Sequence, residues 1–396
     1  VGAGQAGLQV AESLRAEGWA GEIILLGDEP HAPYHRPPLS KAYLLGEASA
    51  EQLIMRGPAA LARKNIDLRS GVQVDRIDRQ AGELQLADGS RLPYHRLVLC
   101  TGARPRPLPG SDLDGVFSLR SLDDCRRIGS ALDTAQDVVV IGGGFIGLEF
   151  AAVARKKGKT VSVIEAGERL MARAVSPFIS NWYAQLHAAK GVELMLNIRL
   201  AGFGEDQGRL ATVDLENGAK IPADLVVLGI GVVANDELAA AAGLPVEHGV
   251  VVDDCGRTAD PAIFAAGDCT ATRRPDGSLR RLESVQNAVE QGKAVAAALL
   301  GKHKPFVATP WFWSDQYDAK LQMVGSAAKH DRMVLRGNPG EGKFSAFYFR
   351  DGKLAGIDSI NRPQDHMAGR KLLDRGVSPT PAQAADEAFT LNSLLA

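Results

Sequence analysis

The sequence predicts an α/β protein with two Rossmann-like dinucleotide-binding domains and a C-terminal α+β domain. Three observations carry that prediction. Gly2-x-Gly4-x-x-Gly7 opens the chain directly before a run with helical apolar spacing. Gly142-x-Gly144-x-x-Gly147 recurs about 140 residues later, behind the apolar run VVVI. Each motif is followed by a second apolar strand and an inserted hairpin, so a strand–helix–strand unit is written twice.

The elements follow in order. VGAGQAGLQVAESLRAEG at the start and VVVIGGGFIGLEFAAVARKKG at 138–158 both read as strand, glycine turn and helix. Apolar residues recur three and four apart, and charges gather toward each helix C-terminus. Second strands lie at 22–29 and 160–168. A hairpin turning at Asp88-Gly89 leads into an apolar strand at 97–100, and the same pattern recurs at 203–233 with Asn217-Gly218 at the turn. From 244 a strand and loop run to Gly267-Asp268, and a helix follows near 284–300. This stretch is expected to return to the first fold. The resulting domains are 1–107 with 244–304, then 108–243, then 305–396. The last begins with the aromatic run PWFWSDQY, alternates as strands, and carries a helix near 364–375. Residues 378–396 read as a polar tail with a short helix.

Composition narrows the function classes. With 45% apolar and 23% charged residues, the 396-residue chain has the make-up of a soluble globular protein. A net charge of -2 gives no global attraction to nucleic acid or anionic membrane. The longest apolar runs, at 138–142 and 225–233, are too short to span a bilayer. The four cysteines, Cys100, Cys125, Cys255 and Cys269, form no closely spaced pair. That removes the usual redox dithiol and a metal cluster on neighbouring thiolates, and no metal is expected. Reduced, mostly buried thiols fit a cytoplasmic location. The chain begins on the last residue of a strand, so a preceding segment is expected, and any targeting signal there stays open.

The glycines carry the first chemistry. Gly2 permits the tight turn, Gly4 lets backbone approach a pyrophosphate, and Gly7 lets the helix pack on the strand, with phosphate at the helix N-terminus. An acid is expected on the ribose about 20 residues further on. Asp28 fits, with Glu29 as its rival. Gly142, Gly144 and Gly147 repeat the device, and Glu165 ends the next strand. A carboxylate there accepts from ribose hydroxyls and repels a 2′-phosphate, which favours NADH over NADPH. Arg169 is the residue that could upset this preference. Two closing turns complete the pattern: Thr101-Gly102 after LVLC, and Gly267-Asp268 after IFAA, where an acid can bond a flavin ribityl chain.

The strings RPPLSKAYL (36–44), LVLCTGARPRPLPG (97–110), VVVIGGGFIGLEFAA (138–152), ESVQNAVEQGK (283–293) and PWFWSDQYDAKLQMVG (310–325) span nearly the whole chain. Through them it resembles the glutathione-reductase-like flavoproteins. Within these it is similar to the ferredoxin reductases of bacterial cytochrome monooxygenase and Rieske dioxygenase systems. Cys100 stands where that family more often has Ala.

The resemblance implies tightly bound FAD and NADH as electron donor. It places Ala6, Asp28, Lys41, Val74, Arg120, Asp268 and Val285 against FAD, and Glu165 with the Gly142–Gly147 loop against NADH. Lys41 and Glu149 are expected to meet near flavin N5, beside the nicotinamide. Trp313 is expected at the exposed flavin edge, where an iron–sulfur protein docks. The residues alone allow plainer readings. Lys41 follows a stiff Pro-Pro loop and, if buried, needs a carboxylate partner. Glu149 could equally be an acid favoured by its helix N-terminus. Trp311 and Phe312 could be core.

Related disulfide reductases place paired cysteines beside the flavin, whereas here the loop offers Ser40 and Lys41. The resemblance implies a [2Fe-2S] ferredoxin that feeds an oxygenase as the acceptor, and an enzyme that is a monomer or weak dimer. Alternatives are rubredoxin, quinone or oxygen as acceptor, or an NADH-responsive redox switch protein. Arg273, Arg274, Arg280 and Arg281 form a basic strip, read either as a solvated loop or as a docking patch for an acidic ferredoxin.

Overall fold

The computed structural model describes residues 1–274, 276–307 and 309–395. The chain divides into two units: Val1–His35 with Ala50–Arg104 and Val232–Ala308, and Arg36–Ser49 with Pro105–Gly231 and Thr309–Ala396.

In the first unit Val1 and Gly2 bridge two neighbouring strands, and Cys100 N also donates to Val1 O at 2.7 Å. The Val1 ammonium donates to Val98 O at 2.8 Å, and Gly2 N donates to Leu26 O at 2.8 Å. Strand Ile23–Gly27 pairs in parallel with Ile66–Ser70, and Leu97–Leu99 pairs in parallel with Ile263–Ala265. Helix Gln5–Ala16 buries Ala6, Leu8, Val10, Ala11 and Leu14, the one-sided stripe of an amphipathic helix. Helix Val285–Leu299 packs beside it, because its face is built from small residues such as Ala288, Ala296 and Ala298. Both predicted hairpin turns are present: Asp88-Gly89 lies between Glu83–Leu86 and Arg91–Pro93, with Gly89 at φ +83°, and in the second unit Asn217-Gly218 lies between Arg209–Leu215 and Lys220–Pro222, with Gly218 at φ +85°.

The second unit contains a five-stranded parallel sheet centred on Asp137–Ile141, flanked by Thr160–Glu165 and Leu225–Leu228. Val138, Val139, Val140 and Ile141 are all buried, as expected of a strand covered on both faces. The unit also holds a five-stranded antiparallel sheet formed by Trp311–Gln316, Ala319–Gly325, Lys353–Ile360, Lys343–Arg350 and Arg332–Asn338, in that spatial order.

The domain borders differ from those read in the sequence. Residues 232–243 fall in the first unit, since Ala239 and Leu238 pack into its core with Ile77 and Leu99. Residues 36–49 fall in the second. Residues 309–395 form their own sheet yet cluster with 105–231. The reason is aromatic packing: Phe178 and Trp182 of helix Pro177–Ala189 meet Phe344 at 5.9 and 5.5 Å between ring centroids. In the 378–395 segment the expected short helix is Pro381–Ala385, but the segment is packed rather than a polar tail. Ala384 and Leu391 are buried, and the Arg336 guanidinium donates to Phe389 O at 2.9 Å.

Candidate functional site

Two helix N-termini are prepared in the same way. Gly4 caps Gln5–Ala16 and Gly144 caps Phe145–Lys156, and neither cap supplies a side-chain acceptor to the first turn. Their donors are left for something outside the chain. Surrounding glycines divide by role. A Cβ on Gly2 (φ +101°) would lie 2.1 Å from Cys100 O, and one on Gly7 would lie 2.0 Å from Gly2 O. Gly142 (φ +103°) and Gly147 repeat those clashes, at 2.6 Å from Gly229 O and 2.4 Å from Gly142 O. Gly4 would meet nothing within 4 Å. An open approach over a donor-rich helix start fits a dinucleotide pyrophosphate, so the residues present suit FAD in the first unit.

The other expected first-unit residues each have a defined local setting. Thr101 Oγ1 donates to Asn235 O at 2.5 Å, and Gly102 adopts φ +69°. The Gly267-Asp268 turn is held by a residue the sequence reading missed. Gln291, buried in helix Val285–Leu299, accepts from Gly267 N at 2.8 Å, Thr270 Oγ1 at 3.1 Å and Asn287 Nδ2 at 3.0 Å. Asn287 and Gln291 stand four apart on an otherwise small-residue face, and that spacing was the available signal. Asp28 is exposed, and its carboxylate accepts from Glu29 N at 3.1 Å. Glu29 instead accepts from the Tyr34 hydroxyl at 2.5 Å. Ala6 is buried in the first turn of its helix, Val285 is partly buried in the first turn of its own, and Val74 starts a strand paired to Leu86.

In the second unit Glu165 reaches back across the glycine turn. Its Oε2 accepts from Gly143 N and its Oε1 from Gly167 N, both at 2.6 Å. Lys41 and Glu149 meet as expected, with Nζ and Oε2 3.0 Å apart and side chains 17% and 4% exposed. Glu149 is thus buried and paired. Ser40 Oγ donates to the same oxygen at 2.5 Å, and Ser314 Oγ donates to Oε1 at 2.6 Å. Burial pushes the Glu149 carboxyl above its usual range, and the Lys41 charge and the two hydroxyls oppose that push. The Lys41 loop is pinned from below by Cys125, whose thiol donates to Leu39 O at 3.1 Å. The Arg36 guanidinium donates to Arg120 O at 2.9 Å, and Asp124 accepts from Arg120 N.

Trp313 is half-buried. It tilts against Trp311 at 5.5 Å, and the Arg370 guanidinium lies 4.7 Å over the Trp311 ring. The basic strip divides: Arg273 and Arg274 are exposed, but Arg280 and Arg281 are partly buried, and Arg281 pairs with Glu283 at 2.9 Å. All four cysteines are free and buried. Burial raises the thiols of Cys100 and Cys125 to about 12, which makes both inert as nucleophiles. No helix among the described residues is long and apolar enough to cross a membrane.

Duplicated nucleotide folds, each with an open glycine turn, define an oxidoreductase that handles two dinucleotides. The profile of the pyridine nucleotide-disulphide oxidoreductase family matches residues 1–292, and that of the reductase C-terminal family matches 311–395. The chain belongs to the pyridine nucleotide-disulphide oxidoreductases. It is 47% identical over 399 residues to rhodocoxin reductase of Rhodococcus erythropolis, covering all of this chain and 93% of that one. Putidaredoxin reductase of Pseudomonas putida is 42% identical over 405 residues, covering 100% and 96%. Among solved structures, the ferredoxin reductase for the CYP199A2 system from Rhodopseudomonas palustris superposes with TM-score 0.97 at 46% identity, covering 100% and 98%.

Proposed function

We propose that this oxidoreductase passes electrons from NADH through FAD to a [2Fe-2S] ferredoxin that serves an oxygenase. The carrying observation is an ion pair where a disulfide reductase needs thiols. The 36–44 loop offers Ser40 and Lys41 to Glu149, while every cysteine lies buried and unpaired. FAD, when bound, supplies a two-electron acceptor able to return electrons singly.

The chain's own residues do the rest. The Gly2–Gly7 turn and its helix start hold the FAD pyrophosphate, with Asp28, Thr101, Gly102, Gly267 and Asp268 around the ribose and ribityl chain. Ala6, Val74 and Val285 belong to the same unit, whereas Lys41, Arg120 and Trp313 belong to the second. Gly142, Gly144 and Gly147 hold the nicotinamide dinucleotide. Glu165, fixed by Gly143 and Gly167, takes the ribose hydroxyls and repels a 2′-phosphate. Oxidising NADH while electrons leave one at a time frees one proton per nicotinamide. The Lys41 Nζ and Glu149 Oε2 pair is the group that holds it.

The relatives named above are reductases of rhodocoxin and of putidaredoxin and a ferredoxin reductase for the CYP199A2 system, which supports a ferredoxin as acceptor. Trp313 on Trp311, with the Arg370 guanidinium over the Trp311 ring, is one docking patch, and Arg273 with Arg274 is the other. The free thiols suit a reducing cytoplasm, with the protein a monomer or weak dimer.

The test is anaerobic titration of the flavin-loaded protein with NADH and with NADPH, followed by a panel of ferredoxins. Fast bleaching by NADH and turnover with a two-iron ferredoxin are expected. Slow reduction, a long-lived charge-transfer complex and a changed oligomeric state would assign an NADH-responsive switch. Preference for rubredoxin, quinone or oxygen would replace the acceptor.

A further inference from the structure

Behind Glu149 the second unit contains a buried polar chain that substrate binding does not explain. Ser314 Oγ donates to Glu149 Oε1 at 2.6 Å and itself accepts from Gln316 Nε2 at 3.2 Å. Gln316 Oε1 lies 2.8 Å from His187 Nε2, and the Tyr317 hydroxyl lies 3.4 Å from His187 Nδ1. Ser314, Gln316 and His187 are each 0% exposed. Tyr317 ends the chain at a cleft of about 400 Å³ lined by Arg155, Lys156, Lys190 and Asp318.

The donor directions follow one from another. Gln316 turns its amide nitrogen toward Ser314, so its oxygen faces His187, and an amide oxygen only accepts. His187 Nε2 must therefore carry the proton. Burial pushes the imidazole below its usual range, so the ring is neutral and Nδ1 is free to accept from Tyr317. Every link then donates inward, from Tyr317 to His187 to Gln316 to Ser314 to the carboxylate. A chain of aligned donors polarises itself and strengthens its last bond. The Gln316 amide has no labile proton to hand on, so the chain fixes a charge rather than moving a proton. Tyr317 sits at φ +56° in the turn between strands Trp311–Gln316 and Ala319–Gly325, a conformation unfavourable for a bulky residue. Strain of that kind is retained where a side chain must be aimed.

We propose that Ser314, Gln316, His187 and Tyr317 are positioning residues that hold Glu149 as an ionised acceptor facing Lys41. This rests on the reading of Lys41 and Glu149 as the proton-holding pair of the reductase. The charged and titratable groups that face Glu149 are Lys41 from the Pro-rich loop and Tyr183 from helix Pro177–Ala189, and Ser40 adds a hydroxyl. Asp315, on the strand that carries Ser314, acts on the same Tyr183 phenol.

The experiment follows the infrared C=O band of protonated Glu149 against pH in the FAD-loaded protein, assigned with Glu149→Gln. Limiting rates of anaerobic flavin reduction by NADH are measured alongside. His187→Leu and Gln316→Met are expected to move the band's midpoint upward by about one pH unit, a tenfold change in ionisation, and to slow flavin reduction in parallel. His187→Gln keeps a donor toward Gln316 and is expected to restore both. The proposal is overturned if the midpoint stays put in His187→Leu and Gln316→Met, or if His187→Gln behaves as His187→Leu does. Should Glu149→Gln reduce its flavin at the unmodified rate while the midpoint still moves, the assigned role of Glu149 fails and the positioning chain stands.

Discussion

The Lys41 ammonium and the Glu149 carboxylate stand 3.0 Å apart, joining a Pro-rich loop to the first turns of the second nucleotide helix. Two serines donate to the same carboxylate, Ser40 to Oε2 and Ser314 to Oε1. Removing one partner of a buried pair strands the other charge, at a cost of about 3–5 kcal/mol. Lys41→Met is therefore expected to destabilise strongly in urea unfolding, and Lys41→Met with Glu149→Gln to recover most of the loss. Each single change is expected to slow flavin reduction by about 100-fold, as for a lost acid–base group. Additive stability losses in the double variant would show that the two side chains do not interact.

The glycine turn separates folding from binding. Gly7→Ala forces a Cβ to 2.0 Å from Gly2 O and is expected to prevent stable folding of the first unit. Gly4→Ala meets no protein atom within 4 Å. It is expected to leave the thermal stability of the flavin-free chain unchanged while sharply lowering flavin content. Normal flavin content in Gly4→Ala would remove the pyrophosphate from that position.

Glu165 sets the dinucleotide preference. Glu165→Gln keeps one accepting oxygen for a turn amide but removes the charge that repels a 2′-phosphate. The ratio of kcat/KM for NADPH to that for NADH is expected to rise at least tenfold, about 1.4 kcal/mol. An unchanged ratio would hand the discrimination to another residue, with Arg169 the first to test.

Asp358 gives the stability a pH dependence unrelated to the site. Burial lifts its carboxyl from 3.8 to about 7, although the Tyr348 hydroxyl donates to it at 2.7 Å. The folded state therefore binds a proton that the unfolded chain has lost. The stability from this group is complete below pH 4 and disappears as pH rises toward and through 7, with a slope of at most about 1.4 kcal/mol per unit. Asp358→Asn is expected to gain stability relative to the unmodified chain across that window. Parallel melting curves of the two proteins from pH 4 to pH 7.5 would sink the assignment.

Of the basic strip, Arg273 and Arg274 are the exposed pair. Replacing both with Gln is expected to raise the KM for ferredoxin at low ionic strength and to flatten its salt dependence. A ferredoxin-reduction rate that does not fall would discard the strip and leave the Trp313–Trp311 face as the docking surface.

What the amino-acid order determined was local and repeated. Paired glycine motifs, their flanking apolar runs and the two Gly-containing hairpin turns could be read directly, because each depends on spacing within about 20 residues and on conformations open mainly to glycine. Lys41 and Glu149 were named as partners only through family resemblance, since 108 positions separate them in the chain. Tertiary structure alone decided the rest: the Gln291 bracket on Gly267, the inward-pointing chain from Tyr317 through His187 to Glu149, and the allegiance of the C-terminal sheet to the second nucleotide fold. Each rests on polar or aromatic side chains brought together from distant segments, where hydrogen-bond direction and packing, not local pattern, select the partner.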